Sequence, residues 1–117
     1  MPHAIEGTWE MIRAELAGEA APDLLLLRVE LELTAETYLV RFAGKTADRG
    51  RYVLERGTLT LTGTAGPNAG RTIPCIFQLV GDRLRICYGL DGTPPTEFTT
   101  TAGQQRYLAT YRRRTIL

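Results

Sequence analysis

Residues 71–88 read RTIPCIFQLVGDRLRICY and contain the clearest structural signal in the chain. On both sides of Gly81-Asp82 every second residue is apolar, and Gln78, Arg83 and Arg85 stand between the apolar positions. Such alternation is typical of strands with one buried face, and a two-residue connection with glycine is typical of a tight hairpin. The hairpin therefore places on one face Ile73, Cys75, Phe77, Leu79, Leu84, Ile86 and Tyr88.

The same register predicts the state of both cysteines. Cys75 falls opposite Tyr88 and Cys87 falls opposite Ile76, so the two thiols point to opposite faces and cannot form a disulfide. A slip of one residue would bring them together, but it would also turn arginines into the core. We therefore expect two free thiols, with Cys75 in the core and Cys87 on the surface.

A second hairpin is predicted around the polar turn at residues 34–37. Pairing Leu33 with Tyr38 keeps the apolar side chains of both strands on one face. It also places Glu30 across from Arg41 on the other face, which is a favourable cross-strand pair.

A third hairpin is predicted around Arg56-Gly57. Pairing Leu54 with Leu59 puts Val53 across from Thr60 on a solvated face rich in threonine. With a strand at each end of the chain, the pattern predicts eight strands, at residues 7–16, 27–33, 38–43, 49–54, 59–64, 71–80, 83–88 and 106–113. Residues 17–26 leave room for one or two helical turns.

Consecutive antiparallel strands with one apolar face form either a sandwich or a closed barrel. Eight strands that follow one another in a meander favour the barrel, because closure removes both exposed edges. The predicted fold class is an all-β, eight-stranded antiparallel up-and-down barrel, formed by residues 1–117 as a single domain.

Charge and composition exclude several classes of function. The formal net charge is +1, so the chain has no long-range field that would attract nucleic acid or an anionic membrane. The longest aliphatic run, Leu24–Leu27, is far shorter than the ~20 residues of a membrane helix. The first residues lack the charged and apolar regions of a signal peptide, so we expect a cytoplasmic protein.

The sequence supports no catalytic or metal site. It has no serine, and its single histidine, His3, stands near the terminus and cannot complete a triad or a histidine metal site. Most glutamates fall on outer faces or in turns, and only Glu97 falls where it could face a barrel mouth. We expect no cofactor.

Aromatic residues are the strongest functional signal. Tyr38, Phe42, Tyr52, Phe77 and Tyr88 fall on the predicted inner face, and Tyr107 and Tyr111 belong to the last strand. An eight-stranded barrel is either filled by its side chains or holds one small ligand. Buried tyrosines need hydrogen-bond partners, so both a filled core and an amphipathic pocket remain open.

Five segments in a fixed order carry a family resemblance. They are GTW at 7–9, GPNAGRTI at 66–73, LVGDRLRICY at 79–88, PTEF at 95–98 and LATYRR at 108–113. Over residues 5–114 the chain resembles a small lipocalin-like domain common in planctomycetes and related bacteria. The resemblance implies a bacterial protein with a lipocalin-type (calycin) barrel, and the family has no agreed ligand. Pro94 departs from the pattern, since the family often has arginine before PTEF.

The resemblance also implies how one end of the barrel closes. In lipocalins an arginine of the last strand packs across the tryptophan of the first strand. Arg113 matches that arginine, with Arg112 and Arg114 as alternatives, and Trp9 matches the tryptophan. The resulting cation–π contact would be a structural plug.

The plug fixes which inward residues would meet a ligand. Strand one begins and strand eight ends at the closed end, so the open end lies where odd strands finish and even strands start. This places Tyr38 and Tyr111 deep in the barrel, beside the plug. The predicted ligand-binding residues are Phe42, Leu61, Ile73, Tyr88 and Tyr107 near the open end, and Tyr52 and Phe77 midway.

Three hypotheses follow from the sequence. The first is a binding module whose barrel holds a small, mostly apolar or amphipathic molecule. The alternative is a protein-interaction or structural module with a filled barrel and no small ligand. The third is an isomerase or hydrolase that uses tyrosines and Glu97; an enzyme is possible, but the sequence contains no catalytic constellation that supports it.

Overall fold

The computed structural model describes residues 4–103 and 105–114. Its elements are β1 (Gly7–Leu16), β2 (Glu19–Ala20), α1 (Asp23–Leu26), β3 (Val29–Leu33), β4 (Thr37–Phe42), β5 (Lys45–Glu55), β6 (Thr58–Ala65), β7 (Thr72–Val80), β8 (Arg83–Gly89) and β9 (Arg106–Arg113). Within these residues, no helix is long and apolar enough to cross a membrane.

Eight of the strands form a closed antiparallel barrel. Strands β3 to β9 pair with their neighbours in chain order, and β1 pairs with both β3 and β9 and so closes the sheet. Strand β2 pairs only with the end of β1 and extends it as a short hairpin. The single turn of α1 lies in the stretch where the sequence allows a short helix. The predicted fold class is confirmed.

The hairpin registers read from the sequence are confirmed. Leu33 pairs with Tyr38, Leu54 with Leu59 and Cys75 with Tyr88. Because side chains alternate along a strand, these registers turn one apolar face of every strand into the barrel. The buried interior includes Leu31, Leu33, Leu59, Leu61, Ile73, Leu84, Ile86 and Ala109.

Two strand boundaries were predicted wrongly, and both differences have a local cause. The strand predicted at 27–33 begins at Val29, because α1 and the left-handed residue Arg28 (φ 51°) precede it. The strand predicted at 49–54 runs from Lys45 to Glu55. Its first half contains a bulge, since Val40 pairs with Asp48 but the next residue, Arg41, pairs with Thr46. A bulge interrupts the alternation on which the prediction relied.

The barrel is closed at the end where β1 starts. The guanidinium of Arg113 lies 4.3 Å from the centre of the Trp9 ring, and Trp9 is fully buried. Trp9 Nε1 donates to the carbonyl of Ile5 at 2.8 Å. Arg113 donates to the carbonyls of Ala4 and Glu6, each at 2.8 Å. These bonds tie the segment before β1 across the closed end.

The two alternative arginines lie on the outer surface. Arg112 pairs with Glu10 at 3.3 Å, and Arg114 pairs with Glu30. The predicted stacking therefore falls on Arg113 alone. His3 lies outside the described residues.

The prediction of a surface thiol at Cys87 is wrong. Cys87 lies on the outer face of β8, as its register requires, but it is fully buried. The loop between β8 and β9 covers it, and the thiol lies 4.0 Å from the carbonyl oxygen of Thr99. Phe98 of this loop packs under the guanidinium of Arg85 at 4.4 Å, and Thr100 accepts a hydrogen bond from the Gly18 amide at 2.8 Å. The alternation within β8 contains no information about a loop that folds back onto it.

Substitution Trp9→Ala tests the plug. Removing a fully buried ring leaves a cavity and strips Arg113 of its stacking partner, so the free energy of unfolding should fall by about 3–5 kcal/mol. Urea denaturation followed by circular dichroism measures the change. Val53→Ala is the matched control, because Val53 is 60% exposed, and it should change stability by less than about 0.5 kcal/mol. A loss at Trp9 no larger than at Val53 would show that the plug does not stabilise the barrel.

The covered position of Cys87 predicts slow thiol chemistry. Both cysteines are free and buried, and burial raises the pKa of each thiol, which disfavours the reactive thiolate. Both should therefore react slowly with Ellman's reagent in the native protein. Phe98→Ala should loosen the covering loop and speed modification of Cys87 by about tenfold, with Cys75 unchanged. Mass spectrometry of labelled peptides distinguishes the two thiols, and equal acceleration of both would contradict this account.

Candidate functional site

A cavity of about 340 Å³ occupies the barrel interior on the side opposite the plug. Its apolar wall comes from inward positions of most strands and from the rim of the open end. The apolar lining consists of Met11, Leu16, Val29, Leu31, Val40, Phe42, Ala47, Leu61, Pro67, Ile73 and Leu90. Leu16 and Phe42 are 44% and 41% exposed, so the cavity is continuous with solvent at its mouth.

A bulge in β1 is needed to line this wall. Met11 pairs with Tyr111, but Arg13 pairs with Thr110, so Ile12 is the extra residue. The bulge changes which residues face inward, from Trp9 and Met11 before it to Ala14 and Leu16 after it. Without it, Leu16 would point away from the cavity.

Three tyrosines form one polar wall of the cavity. The hydroxyls of Tyr88 and Tyr111 are hydrogen bonded at 2.7 Å, and the rings of Tyr88 and Tyr107 stack with centres 5.2 Å apart. The Tyr107 hydroxyl donates to the sulfur of Met11 at 3.5 Å. Burial raises the pKa of Tyr107 to about 12 and the pKa values of Tyr88 and Tyr111 well above the ordinary value. The wall is therefore uncharged at neutral pH.

A second polar group, formed by Tyr38, Asp48 and Asn68, lies on the opposite side. Asp48 pairs with the inward residue Val40, so its carboxylate points into the cavity. Asn68 Nδ2 donates to it at 2.7 Å, and the amide of Arg49 donates to its other oxygen at 3.0 Å. Burial first, and the charge of Asp48 second, raise the pKa of the nearby Tyr38 hydroxyl to about 12.

Two paired glycines make room for this group. Gly50 and Gly63 lie opposite each other on β5 and β6. A Cβ on Gly50 would lie 2.6 Å from the ring of Tyr38, and one on Gly63 would lie 2.0 Å from the carbonyl oxygen of Asn68. The absence of side chains here lets the Tyr38 ring and the loop before β7 approach Asp48.

The structure brings together five of the seven predicted ligand-binding residues. Phe42, Leu61, Ile73, Tyr88 and Tyr107 line the cavity, whereas Tyr52 and Phe77 do not. The Tyr52 hydroxyl donates to the carbonyl of Thr34 in the turn between β3 and β4, at the closed end. Phe77 is partly buried against the core. A role in binding stays a prediction for all seven.

Tyr38 and Tyr111, which the register places deep in the barrel, also line the cavity. Their rings extend to residues on the neighbouring strands. The Tyr111 hydroxyl reaches Tyr88, and the Tyr38 ring crosses Gly50. Strand register fixes where a side chain starts, but it does not fix where a long ring ends.

Asp48 and Asn68 were missed by sequence reasoning. Asp48 continues the alternation of Gly50, Tyr52 and Leu54, which was a usable signal, but a strand predicted to start at residue 49 left it in a loop. Asn68 stands in a turn-like segment, GPNAG, and no local pattern indicates that its side chain reaches another strand.

Side chains outside the cavity give little support for a catalytic or metal site. Glu97 is exposed and is not part of the cavity lining. The carboxylate that the enzyme hypothesis combines with the tyrosines is therefore separated from them. In the part of the chain that the structure describes, no three His, Cys, Asp or Glu side chains are grouped so as to hold a metal ion. The cavity therefore suits binding by shape, apolar contact and a few hydrogen bonds.

Alkaline titration tests the buried state of the tyrosines. Their pKa values are raised above the ordinary 10.0, so the folded protein keeps protons that the unfolded chain releases. Stability should be complete below about pH 10 and should decline as pH rises toward the folded pKa values. Phenolate absorbance should appear in the native protein only well above the range of free tyrosine. Tyr107→Phe should weaken the alkaline loss of stability, and normal titration of every tyrosine in the folded protein would contradict the buried wall.

Comparisons with protein-family models, with curated protein sequences and with solved structures find no match to this chain. Function must therefore be inferred from the chemistry of the site, because a barrel fold is compatible with many functions.

Proposed function

We propose that this protein binds a small, mostly apolar molecule inside its barrel. The observation that carries the proposal is the cavity of about 340 Å³, which is open to solvent at one end and has an apolar wall. Small-molecule sites in proteins are typically preformed concave spaces of roughly 300–1,000 Å³ with a few polar groups among apolar ones. The volume falls at the small end of that range, so the ligand should be compact.

The hydroxyls of Tyr88, Tyr107 and Tyr111 could form hydrogen bonds with a ligand that the apolar wall encloses. Each hydroxyl has one donor hydrogen and two acceptor lone pairs. In the Tyr88–Tyr111 pair one hydrogen is used between the hydroxyls and the other is available to a ligand. Tyr107 donates to a thioether sulfur, a weak acceptor that a ligand oxygen could replace. These groups would orient a molecule whose body contacts the apolar wall.

Membership of the bacterial lipocalin-like family and a cytoplasmic location form part of the same proposal. The ordered sequence motifs and the closed barrel support the family. Two free thiols, Cys75 and Cys87, suit a reducing compartment such as the cytoplasm.

The interaction-module alternative draws on a different observation. Leu26 and Leu27, in the segment that leads into β3, are 80% and 41% exposed. Exposed leucines next to one another are typical of protein contact surfaces. This alternative takes over if the cavity proves unable to hold a ligand.

Titration with the uncharged fluorophore N-phenyl-1-naphthylamine tests the proposal. The dye should bind with enhanced, blue-shifted emission at micromolar concentration, because transfer of an aromatic molecule into an apolar cavity is favourable. Ala47→Trp should weaken binding by at least about tenfold, since Ala47 lines the cavity and the indole would occupy the space of the ligand.

Val53→Trp is the matched control for this experiment. It adds the same ring to the same strand, but Val53 is on the outer face and 60% exposed, so dye binding should be unchanged. Absence of dye binding, or equal effects of the two tryptophans, would remove the cavity as the binding site.

A further inference from the structure

The formal charge of the cavity lining has a single sign, which is negative. Among the described residues that line it, Asp48 alone has a formally charged side chain, and neither lysine nor arginine takes part. The hydroxyls of the cavity tyrosines are neutral at physiological pH, since the ordinary pKa of tyrosine is 10.0 and burial raises it further. A molecule that enters the barrel therefore meets a single negative charge in an otherwise neutral, apolar space.

The carboxylate of Asp48 is held in place but not neutralised. Asn68 and the Arg49 amide donate to it, the Tyr38 hydroxyl also interacts with it, and all three groups are uncharged. No ion pair within the described chain involves Asp48. The nearest basic side chain in this network is Arg71, which donates to the side-chain oxygen of Asn68 at 3.1 Å and is exposed to solvent. A carboxylate has about four acceptor sites, so it can still accept a bond from a ligand.

Ligands with anionic and cationic head groups should bind in this cavity with very different affinities. An anionic head group would lose its hydration water, would meet no cationic side chain in the cavity lining and would be repelled by Asp48. Such a charge is unpaired, and burying an unpaired charge in an apolar site costs free energy. A cationic head would gain an ion pair and a charge-assisted hydrogen bond. It would also lie near the rings of Tyr38 and Phe42, which share the cavity and can contribute cation–π attraction.

We infer that the barrel selects compact amphipathic amines, with the ammonium group bound by Asp48 and the apolar body against the aliphatic wall. The inference rests on the proposed function, since it names the ligand class of the same cavity. It excludes fatty acids and other anionic amphiphiles as preferred ligands. Asn68 acts as a positioning residue, because its amide fixes the orientation of the carboxylate.

Calorimetric titration with octylamine, octanol and octanoate at neutral pH tests the inference. The three probes share an alkyl chain and differ in the head group, which is cationic, neutral or anionic. Octylamine should bind at least about tenfold more tightly than octanoate, with octanol between them. Ala47→Trp should weaken all three, which locates the binding in the barrel.

Asp48→Asn should remove the preference for the amine. It keeps an acceptor for Asn68, and the affinities for octylamine and octanol should come within about twofold of each other. Glu55→Gln is the matched control, because it removes the same charge from an exposed position at the far end of the same strand and should leave the preference intact.

The outcomes separate the inference from the proposed function. If octanol binds but octylamine shows no advantage over octanoate in the unmodified protein, the inference is wrong and the binding function stands. If no probe binds, the proposed function fails and the inference fails with it. The order of the three affinities in the unmodified protein decides the matter even if Asp48→Asn does not fold.

Discussion

The structure depends on the pairing of its first long strand with its last. Strand β1 contacts β9 from Trp9 opposite Arg113 to Leu16 opposite Tyr107, and this ladder turns an open sheet into a barrel. Closure satisfies the backbone groups that both edge strands would otherwise expose. It also gives the sheet an inside, so that each inward residue contributes to a single shared core. The stacking of Arg113 on Trp9 fills one end of that core and leaves the other end open.

The cavity exists because the inner face is not filled evenly. Near the plug, Trp9, Leu33, Leu59 and Leu84 pack to complete burial or almost so. Toward the other end, the facing glycines Gly50 and Gly63 remove side-chain volume, and bulges in β1 and β5 change which residues point inward. These features weaken the local ladder, and they place Asp48 and the loop containing Asn68 at the same wall. The part of the barrel with the least regular strands is therefore the part with the site.

The electrostatics of the site follow from the same arrangement. Tyrosines supply polarity without charge, because a phenol is protonated at neutral pH and burial raises its pKa further. A single carboxylate at the wall then determines the sign of the field that a ligand meets. A small barrel makes few contacts with its ligand, so the sign of the one charge in the cavity wall strongly affects which molecules it accepts.

Much of the architecture is determined by the sequence, because strand alternation and turn chemistry are local properties. Residues 71–88 alone fix a hairpin register, and the agreement of three such registers makes a single apolar face and hence a barrel. That register also places Cys75 and Cys87 on opposite faces. Local patterns say nothing, however, about segments that approach from elsewhere in the chain. Only the tertiary structure shows that the loop carrying Thr99 buries Cys87, that the Tyr38 ring crosses Gly50, and that Asn68 reaches Asp48. The physical reason is that a β-strand pattern specifies which side of the sheet a residue faces, whereas burial and charge environment depend on what long-range packing brings to that side.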